Sequence, residues 1–372
     1  MKAQPAAFLR TTLPLGIDMA GEYDSGRYHS IWLPDHMVSF WPDSIWTPEF
    51  TDLAKASPSP HRHLDGMAVA AAAAVLTRST PIATTVVDTV RRHPSLLAQS
   101  ALTISHLSKG RFILGLGSGE LENTVPYGFD FRKPVSRLEE SIKVIKLLWH
   151  SDGPVDFEGE FYHLEHARMD TEFYEGKAPP IWLGAAGPRM LGITGREADG
   201  WWPAGSYTPE DYAAKLRTIL DAGDAVGRDM SDFTAAITQI CLIGEPDEID
   251  EMLRAPMVKS IILMLTAHDL RQFGYEHPMG PDWRGIMDFD PVRLSREAML
   301  RFCDEMNPQA IRDIFPVGTP REVAAKIKGF IDAGCRVYKL MEYGGMGGMK
   351  FSATSAAKVR ETEDEIQRLV EG

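Results

Sequence analysis

Short apolar runs alternate with amphipathic helical segments along most of the chain. The runs predict strands over residues 6–12, 30–35, 81–88, 111–120, 179–186, 199–205, 233–245 and 336–344. The amphipathic segments predict helices over residues 15–26, 64–77, 93–108, 137–150, 188–198, 209–227, 320–334 and 355–370. Several strands are almost entirely apolar, which is typical of parallel strands covered on both faces. This alternation predicts an α/β fold of the (β/α)8 TIM-barrel type.

A doubly wound open sheet is the alternative fold. No strand is followed by the GxGxxG turn with a later acidic residue that dinucleotide-binding sheets carry, so the barrel is favoured. We expect one domain over residues 1–372, with insertions near 37–61, 151–178 and 258–318. The insertion at 151–178 has the pattern of a β-hairpin.

Polar residues follow the ends of several predicted strands. Barrel active sites lie at the carboxyl ends of the strands, so these residues should share one rim. They are Asp35 and His36, then Thr84, Thr85 and Asp88, then "GSGELEN" at 117–123 and "AAGPRM" at 185–190.

The chemistry of this rim has two interpretations at each position. His36 next to Asp35 suits acid–base catalysis, or it is a structural histidine. Gly115 and Gly117 allow close packing of the barrel backbone, whereas the loop at Gly119 admits a flat ligand or forms a plain turn. Gly187 starts a helix whose free amides suit a phosphate, or it is an ordinary helix start.

Composition narrows the class of ligand. The chain has 372 residues and a net charge of −13, and no basic run exceeds two residues, so we expect no nucleic acid or anionic membrane as partner. Three widely spaced cysteines predict neither zinc nor a disulfide framework. The histidines of "HRH" at 61–63 suit local polar contacts better than a metal, and no metal is expected. Without a signal peptide or membrane segment, we expect a cytoplasmic protein.

Three stretches together resemble the bacterial luciferase-like barrel superfamily, and within it the branch that uses the deazaflavin coenzyme F420. They are "WLPDH" at 32–36, "RRHPSLLAQSALTISHLSKGRFILGLGSGELEN" at 91–123 and "WLGAAGPRMLGITGREADGWW" at 182–202. "HPMGPDWRG" at 277–285 and "PYG" at 126–128 are most similar to the phthiodiolone ketoreductase group. They are less similar to the F420-dependent glucose-6-phosphate dehydrogenases, so a sugar phosphate is disfavoured.

The resemblance implies a role for each matching residue. His36 and Glu120 would be the catalytic acid–base groups. Phe40, Trp41 and Trp46 either belong to the core of the insertion near 37–61 or form a lid over the ligand, and Phe40 and Trp41 compete for the ring that faces the cofactor. Arg91 and Arg92 are candidates for holding its polyglutamate tail, or a solvated pair. The cofactor-binding residues would be Asp35, Thr84, Thr85, Asn123, Ala186, Gly187 and Arg189, with Thr84–Thr85 in a strand bulge that is often a cis peptide.

The implied function is hydride transfer between C5 of coenzyme F420 and a carbonyl or secondary alcohol of an apolar small molecule. A luciferase-type monooxygenase using FMN is the alternative, and a non-catalytic flavin-binding protein is a third possibility. The resemblance also implies a homodimer.

Overall fold

The computed structural model describes residues 3–203, 205 and 207–371. Its strands are β1 (Gln4–Pro5), β2 (Ala7–Phe8), β3 (Ile31–Leu33), β4 (Ile82–Thr84), β5 (Val87–Asp88), β6 (Phe112–Gly117), β7 (Val155–Glu158), β8 (His163–Ala167), β9 (Ile181–Leu183), β10 (Gly200–Trp201), β11 (Thr234–Ile243), β12 (Val317–Gly318) and β13 (Val337–Glu342).

The helices cover both the barrel repeats and the insertions. They are α1 (Met19–Tyr23), α2 (Leu53–Ala56), α3 (Gly66–Leu76), α4 (Pro94–Ser108), α5 (Pro134–His150), α6 (Pro188–Glu197), α7 (Pro209–Asp224), α8 (Pro246–Met252), α9 (Pro256–Lys259), α10 (Ala267–Gln272), α11 (Arg296–Glu305), α12 (Gln309–Ile314), α13 (Pro320–Asp332) and α14 (Met349–Glu371). Among the described residues, no helix is both long and apolar enough to cross a bilayer.

The parallel sheet closes on itself through its first strand. The two halves of that strand, β1 and β2, are separated by Ala6 alone; β1 pairs with β13 and β2 pairs with β3. Between them the order runs β13, β11, β10, β9, β6, β4, β3, with every pair parallel. The predicted (β/α)8 barrel is confirmed, and residues 151–178 contain the antiparallel hairpin β7–β8.

The barrel interior is lined by aromatic and small side chains. Its buried members are Ala6, Trp32, Ala83, Ile113, Trp182, Trp202, Ala236 and Val337. The rings of Trp32 and Trp202 meet edge to face with their centroids 4.9 Å apart. We call Trp32, Trp182 and Trp202 the aromatic floor. Phe8 and Val86 are only partly buried and pack against this layer.

A second core lies outside the barrel. Its buried side chains come mainly from α8 to α12 and from β11, and include Leu242, Met257, Ile261, Phe289, Phe302, Ile311 and Phe315. The helical part of the insertion at 258–318 therefore has an apolar interior of its own. The insertion near 37–61 packs against this core through Phe40, Trp41 and Trp46.

Two helices differ from their predicted bounds for the same physical reason, a contact from a distant residue. The predicted helix at 15–26 is reduced to α1, because the Asp24 carboxylate instead accepts hydrogen bonds from the backbone N–H groups of Arg78, Ser79 and Thr80 at 2.6, 3.0 and 2.7 Å. Helix α14 starts six residues earlier than residue 355, at Met349, whose N–H donates to Asp52 Oδ1 at 2.7 Å. The predicted strand at 199–205 is reduced to β10, and positions 204 and 206 lie outside the described residues.

Candidate active site

The predicted polar residues follow the carboxyl ends of neighbouring parallel strands. Asp35 and His36 follow β3, whose Leu33 is paired with Thr84 of β4. Gly117 ends β6 and pairs with Asp88, while Ala186 and Gly187 follow β9. Because these strands belong to one parallel sheet, the residues after their ends lie at the same rim of the barrel.

Asp35 is the centre of a buried ion-pair network. Its side chain is 2 % exposed, and its oxygens accept from Arg91 Nη2 and Arg92 Nη2 at 2.9 Å each. Oδ1 also accepts from the N–H of Gly66 at 3.0 Å, at the first turn of α3. Arg91 also bonds Asp88, and Arg92 bonds Asp65. We call these five charged residues the Asp35 network.

The charges in this network compensate one another. Burial opposes the charged form of Arg92, but hydrogen bonds and charge from Asp35 and Asp65 outweigh it and raise the pKa of Arg92. Both carboxylate oxygens of Asp35 therefore have cationic donors within the protein. These are the contacts of a structural anchor, and the predicted contact of Asp35 with a cofactor stays a prediction. Arg91 and Arg92, the candidates for the cofactor tail, are both bound to this anchor.

His36, the next residue, belongs to a second group of different character. Its Nδ1 lies 3.0 Å from Asn123 Nδ2 and 3.4 Å from Glu120 Oε2. The side chains of His36 and Glu120 are 15 % and 28 % exposed, so both can meet a ligand at the rim. The structure thus brings together the two residues predicted as catalytic.

Asn123 connects the members of this group. Its Oδ1 accepts from the backbone N–H groups of Met37 and Val38 at 2.6 and 3.1 Å. Its Nδ2 faces Glu120 Oε2 at 3.1 Å and Glu122 Oε1 at 2.8 Å in addition to His36. We call His36, Glu120, Glu122 and Asn123 the proton cluster. The polar atoms of Asn123 already have protein partners. Its predicted contact with the cofactor stays a prediction.

Glu122 is the member that sequence reasoning missed. It is 1 % exposed, and among the described residues its Oε2 has no hydrogen-bond partner. Burial, and then the charge of Glu120, raise the pKa of Glu122 to about 10. Burial and the neighbouring charge therefore favour the neutral form of the Glu122 carboxyl group. The signal in the sequence was the second acid in "GELEN", two residues after Glu120, which looked like any glutamate in a loop.

Thr84 and Thr85 form the break in the third barrel strand, between β4 and β5. The Thr84 hydroxyl accepts from the N–H of Gly115 at 3.0 Å, and the N–H of Thr85 donates to the Leu33 carbonyl at 2.7 Å. The cis peptide bond falls one position later than expected, between Thr85 and Val86. A Cβ added to Gly115 would lie 1.9 Å from the carbonyl oxygen of Thr84. A Cβ added to Gly117 would lie 2.5 Å from the side chain of Val86. The predicted close packing at these two glycines is therefore confirmed.

The start of α6 is open to a ligand. Gly187 is its N-cap and has no capping side chain, and a Cβ built there meets nothing within 4 Å. Ala186 and Gly187 are exposed. The Arg189 guanidinium is tied to α5 instead, donating to Ser136 Oγ at 2.8 Å and to Glu139 Oε2 at 2.9 Å. The free end of α6 suits an anion, while Arg189 is held beside it.

The three predicted lid residues separate in the structure. The Phe40 ring meets His36 edge to face, with centroids 5.2 Å apart. Trp41 lies on Tyr343, with centroids 4.7 Å apart, and the Trp46 indole donates to the Ser57 carbonyl at 2.9 Å. Of the two competing rings, Phe40 is therefore the one in contact with the proton cluster.

The ends of the insertion at 37–61 are joined by polar contacts. The Ser39 hydroxyl donates to the Pro60 carbonyl at 2.6 Å and lies 2.8 Å from His63 Nε2, while the Ser39 N–H donates to His61 Nδ1 at 3.2 Å. Burial, assisted by the charges of His36 and His61, lowers the pKa of His63 to about 3. The two histidines of "HRH" thus make local polar contacts at the neck of this insertion.

The closed parallel barrel with these polar groups at its carboxyl rim places the chain among the (β/α)8-barrel proteins. The chain belongs to the luciferase-like monooxygenase family, whose model matches residues 16–336, and the predicted family is confirmed.

Two relatives of the chain are a ketoreductase and an F420-dependent dehydrogenase. The chain is 34 % identical over 342 residues to the phthiodiolone/phenolphthiodiolone dimycocerosates ketoreductase of Mycobacterium tuberculosis, covering 90 % of this chain and 88 % of the relative. It is 30 % identical over 332 residues to the F420-dependent glucose-6-phosphate dehydrogenase of Kineococcus radiotolerans, covering 85 % and 83 %.

The fold is similar to that of a solved F420-dependent secondary alcohol dehydrogenase in complex with an F420–acetone adduct. The TM-score is 0.73 at 20 % identity, covering 98 % of this chain and 99 % of the other. At 20 % identity this structural similarity shows that the two proteins share the barrel fold.

Proposed function

We propose that this protein is a coenzyme F420-dependent oxidoreductase that interconverts a ketone and a secondary alcohol. The observation that carries the proposal is the pairing of His36 and Glu120 at the rim, 3.4 Å apart and both accessible. The ketoreductase and the F420-dependent dehydrogenases among the relatives support the same chemistry.

The residues of the rim fit the proposed cofactor. The open N-terminus of α6 at Gly187 suits its phosphate, and the break at Thr84–Thr85, beside the aromatic floor, suits the back of a flat ring. The deazaflavin, when bound, supplies or accepts a hydride at C5. Its removal should leave the fold intact, since the floor and the Asp35 network are complete without it.

The protein's part in the reaction is to hold and move a proton. Reduction of a ketone develops negative charge on its oxygen, and His36 or Glu120 donates a proton to that atom. In the opposite direction the same group accepts the hydroxyl proton. Asn123 fixes both side chains, because its own amide is held by the backbone of Met37 and Val38.

The substrate proposed is a bulky apolar carbonyl compound. Phe40 covers His36, and the second core continues the apolar surface behind it. The proposal also includes a homodimer and a cytoplasmic location.

Turnover with defined cofactors tests the proposal. The purified protein is mixed with reduced F420 and ketones of increasing chain length, and the absorbance of oxidised F420 is followed. Faster oxidation with longer ketones is expected. Oxygen consumption with reduced FMN and no F420 turnover would favour the monooxygenase, while tight binding of F420 or FMN with neither activity would favour a non-catalytic binding protein.

A further inference from the structure

The hydrogen atoms around Asn123 do not match the acceptors that face them. The amide nitrogen supplies two hydrogens, yet His36 Nδ1, Glu120 Oε2 and Glu122 Oε1 all lie within 3.1 Å of it. The amide cannot be reversed, because Oδ1 already accepts from two backbone N–H groups, at Met37 and Val38. A proton on one of the three facing groups removes this mismatch.

A cation is the other way to satisfy such a group. Ligand atoms of His36, Glu120 and Glu122 lie within 4.8 Å of one another, which is a spacing suited to metal binding. The Asn123 amino group, however, already lies against all three side chains and presents hydrogens to them. A metal ion in the same place would meet these hydrogens, so a shared proton suits the cluster better than a cation.

Burial decides which group carries the proton. Glu122 is 1 % exposed, whereas the side chains of His36 and Glu120 reach solvent. An ionised Glu122 would be a buried charge beside the Glu120 carboxylate, with one oxygen unpaired. The charged neighbour acting on Glu122 is Glu120. The His36 imidazole belongs to the same cluster, and the His63 ring lies 5.7 Å from it, centroid to centroid.

We propose that Glu122 is a neutral carboxylic acid that stores the proton Glu120 delivers to the substrate. This inference rests on the proposed function, since it names the source of the proton used there. Glu122 acts through Glu120 and is a positioning and supply residue, while Glu120 is accessible to the substrate.

The proton passes through the pair in two steps. Glu122 first gives its O–H proton to the Glu120 carboxylate. As hydride reaches the carbonyl carbon, the carbonyl oxygen takes that proton from Glu120 and the alcohol forms, and water at the rim later returns one proton to the pair. The ketone gains one hydride and one proton, and the protein ends as it began.

Infrared spectroscopy of the cofactor-free protein locates the stored proton without any turnover. At about pH 8 an ordinary glutamate is ionised, because its pKa is about 4.3. Glu363, whose pKa burial raises to about 7, is also mostly ionised there. We expect a carbonyl-stretch band of a protonated carboxylic acid in the wild type and in the exposed control Glu158→Gln, and its loss in Glu122→Gln. In the wild type the band should fade only as the pH approaches about 10.

Single-turnover kinetics test whether that proton is used. Glutamine keeps the shape and a donor toward Glu120 but cannot release a proton. We expect Glu122→Gln to reduce the rate of ketone reduction by F420 at least about tenfold, within the range of general acid catalysis, with unchanged F420 affinity. A wild-type rate in this variant, or a wild-type spectrum without the carboxylic acid band, would overturn the proposal. If the wild type itself reduces no ketone with F420, the proposed function fails, and the infrared result still decides where the proton resides.

Discussion

Asp35 and His36 are consecutive residues that lead into two polar regions of opposite design. In the Asp35 network, buried carboxylates face two arginines and a helix N–H, so each charge has an opposite partner. In the proton cluster, two carboxyl groups and an imidazole crowd around a single amide, and Glu122 Oε2 has no partner among the described residues.

This difference indicates that the Asp35 network holds the structure in place and that the proton cluster is suited to proton transfer. The Asp35 network resists rearrangement, because removing Asp35 takes from Arg91 and Arg92 the buried partner that they share. In the proton cluster three acceptors face the two hydrogens of one amide, so its members compete for protons. An acid and an imidazole stand side by side at the end of β3 because the first fixes the backbone that presents the second.

The largest effect should come from the proton cluster. Glu120→Gln and His36→Ala should each lower single-turnover ketone reduction by about 10²–10⁴-fold, because general acid catalysis contributes that much to a rate. F420 affinity should change little, since proton transfer acts in the transition state. Stopped-flow absorbance with fluorescence titration measures both, with Glu158→Gln as the exposed control. Wild-type rates in both variants would exclude these residues as proton donors.

Asp35→Ala should instead affect stability. We expect the free energy of unfolding to fall by about 3–5 kcal/mol, because the change leaves Arg91 and Arg92 buried without their shared partner. Urea unfolding of the cofactor-free protein measures it. Asp250→Ala removes one member of an exposed ion pair with Arg312 and should change little. Weaker F420 binding with unchanged stability would return Asp35 to the predicted role of cofactor ligand.

The pH dependence of the free energy of unfolding tests the protonation of His63, which lies near both His36 and Asp35. The folded state keeps this histidine neutral down to about pH 3, whereas the unfolded chain takes up a proton below about pH 6.5. The unfolded state then binds more protons, so stability should fall as the pH drops below about 6.5, by at most about 2 kcal/mol at pH 5. His63→Gln should flatten that part of the urea-unfolding profile. An equal slope in both proteins would show that folding does not change the pKa of His63.

The smallest effect, on F420 affinity, should come from the N-terminus of α6. Gly187→Asp places a carboxylate at the open end of α6, where two like charges about 4 Å apart repel by about 1 kcal/mol in water. F420 affinity should fall about fivefold in a tryptophan-fluorescence titration. The neutral variant Gly187→Asn controls for size, and an equal loss in both would assign the effect to shape instead of charge.

The barrel was predictable from the sequence because its signal is local. Each apolar run becomes a parallel strand, and glycines such as Gly115 stand where a neighbouring backbone leaves no room for a Cβ. The limits of α1 and α14 were not predictable, because Asp24 and Asp52 satisfy backbone groups 54 and 297 residues away. The same is true of the site. Its rim position follows from strand ends, whereas the anchoring of Asp35 and the burial of Glu122 arise only from folding.

The contacts of Ser39 with Pro60 and His63 have a consequence for protein engineering. They tie together the two ends of the insertion near 37–61, which begins directly after His36. A loop grafted between these ends would keep its entry and exit points, provided that it retains the contacts of Trp41 with Tyr343 and of Asp52 with Met349. Diversification confined to the residues between these contacts would then be a route to new ligand preferences on an unchanged barrel.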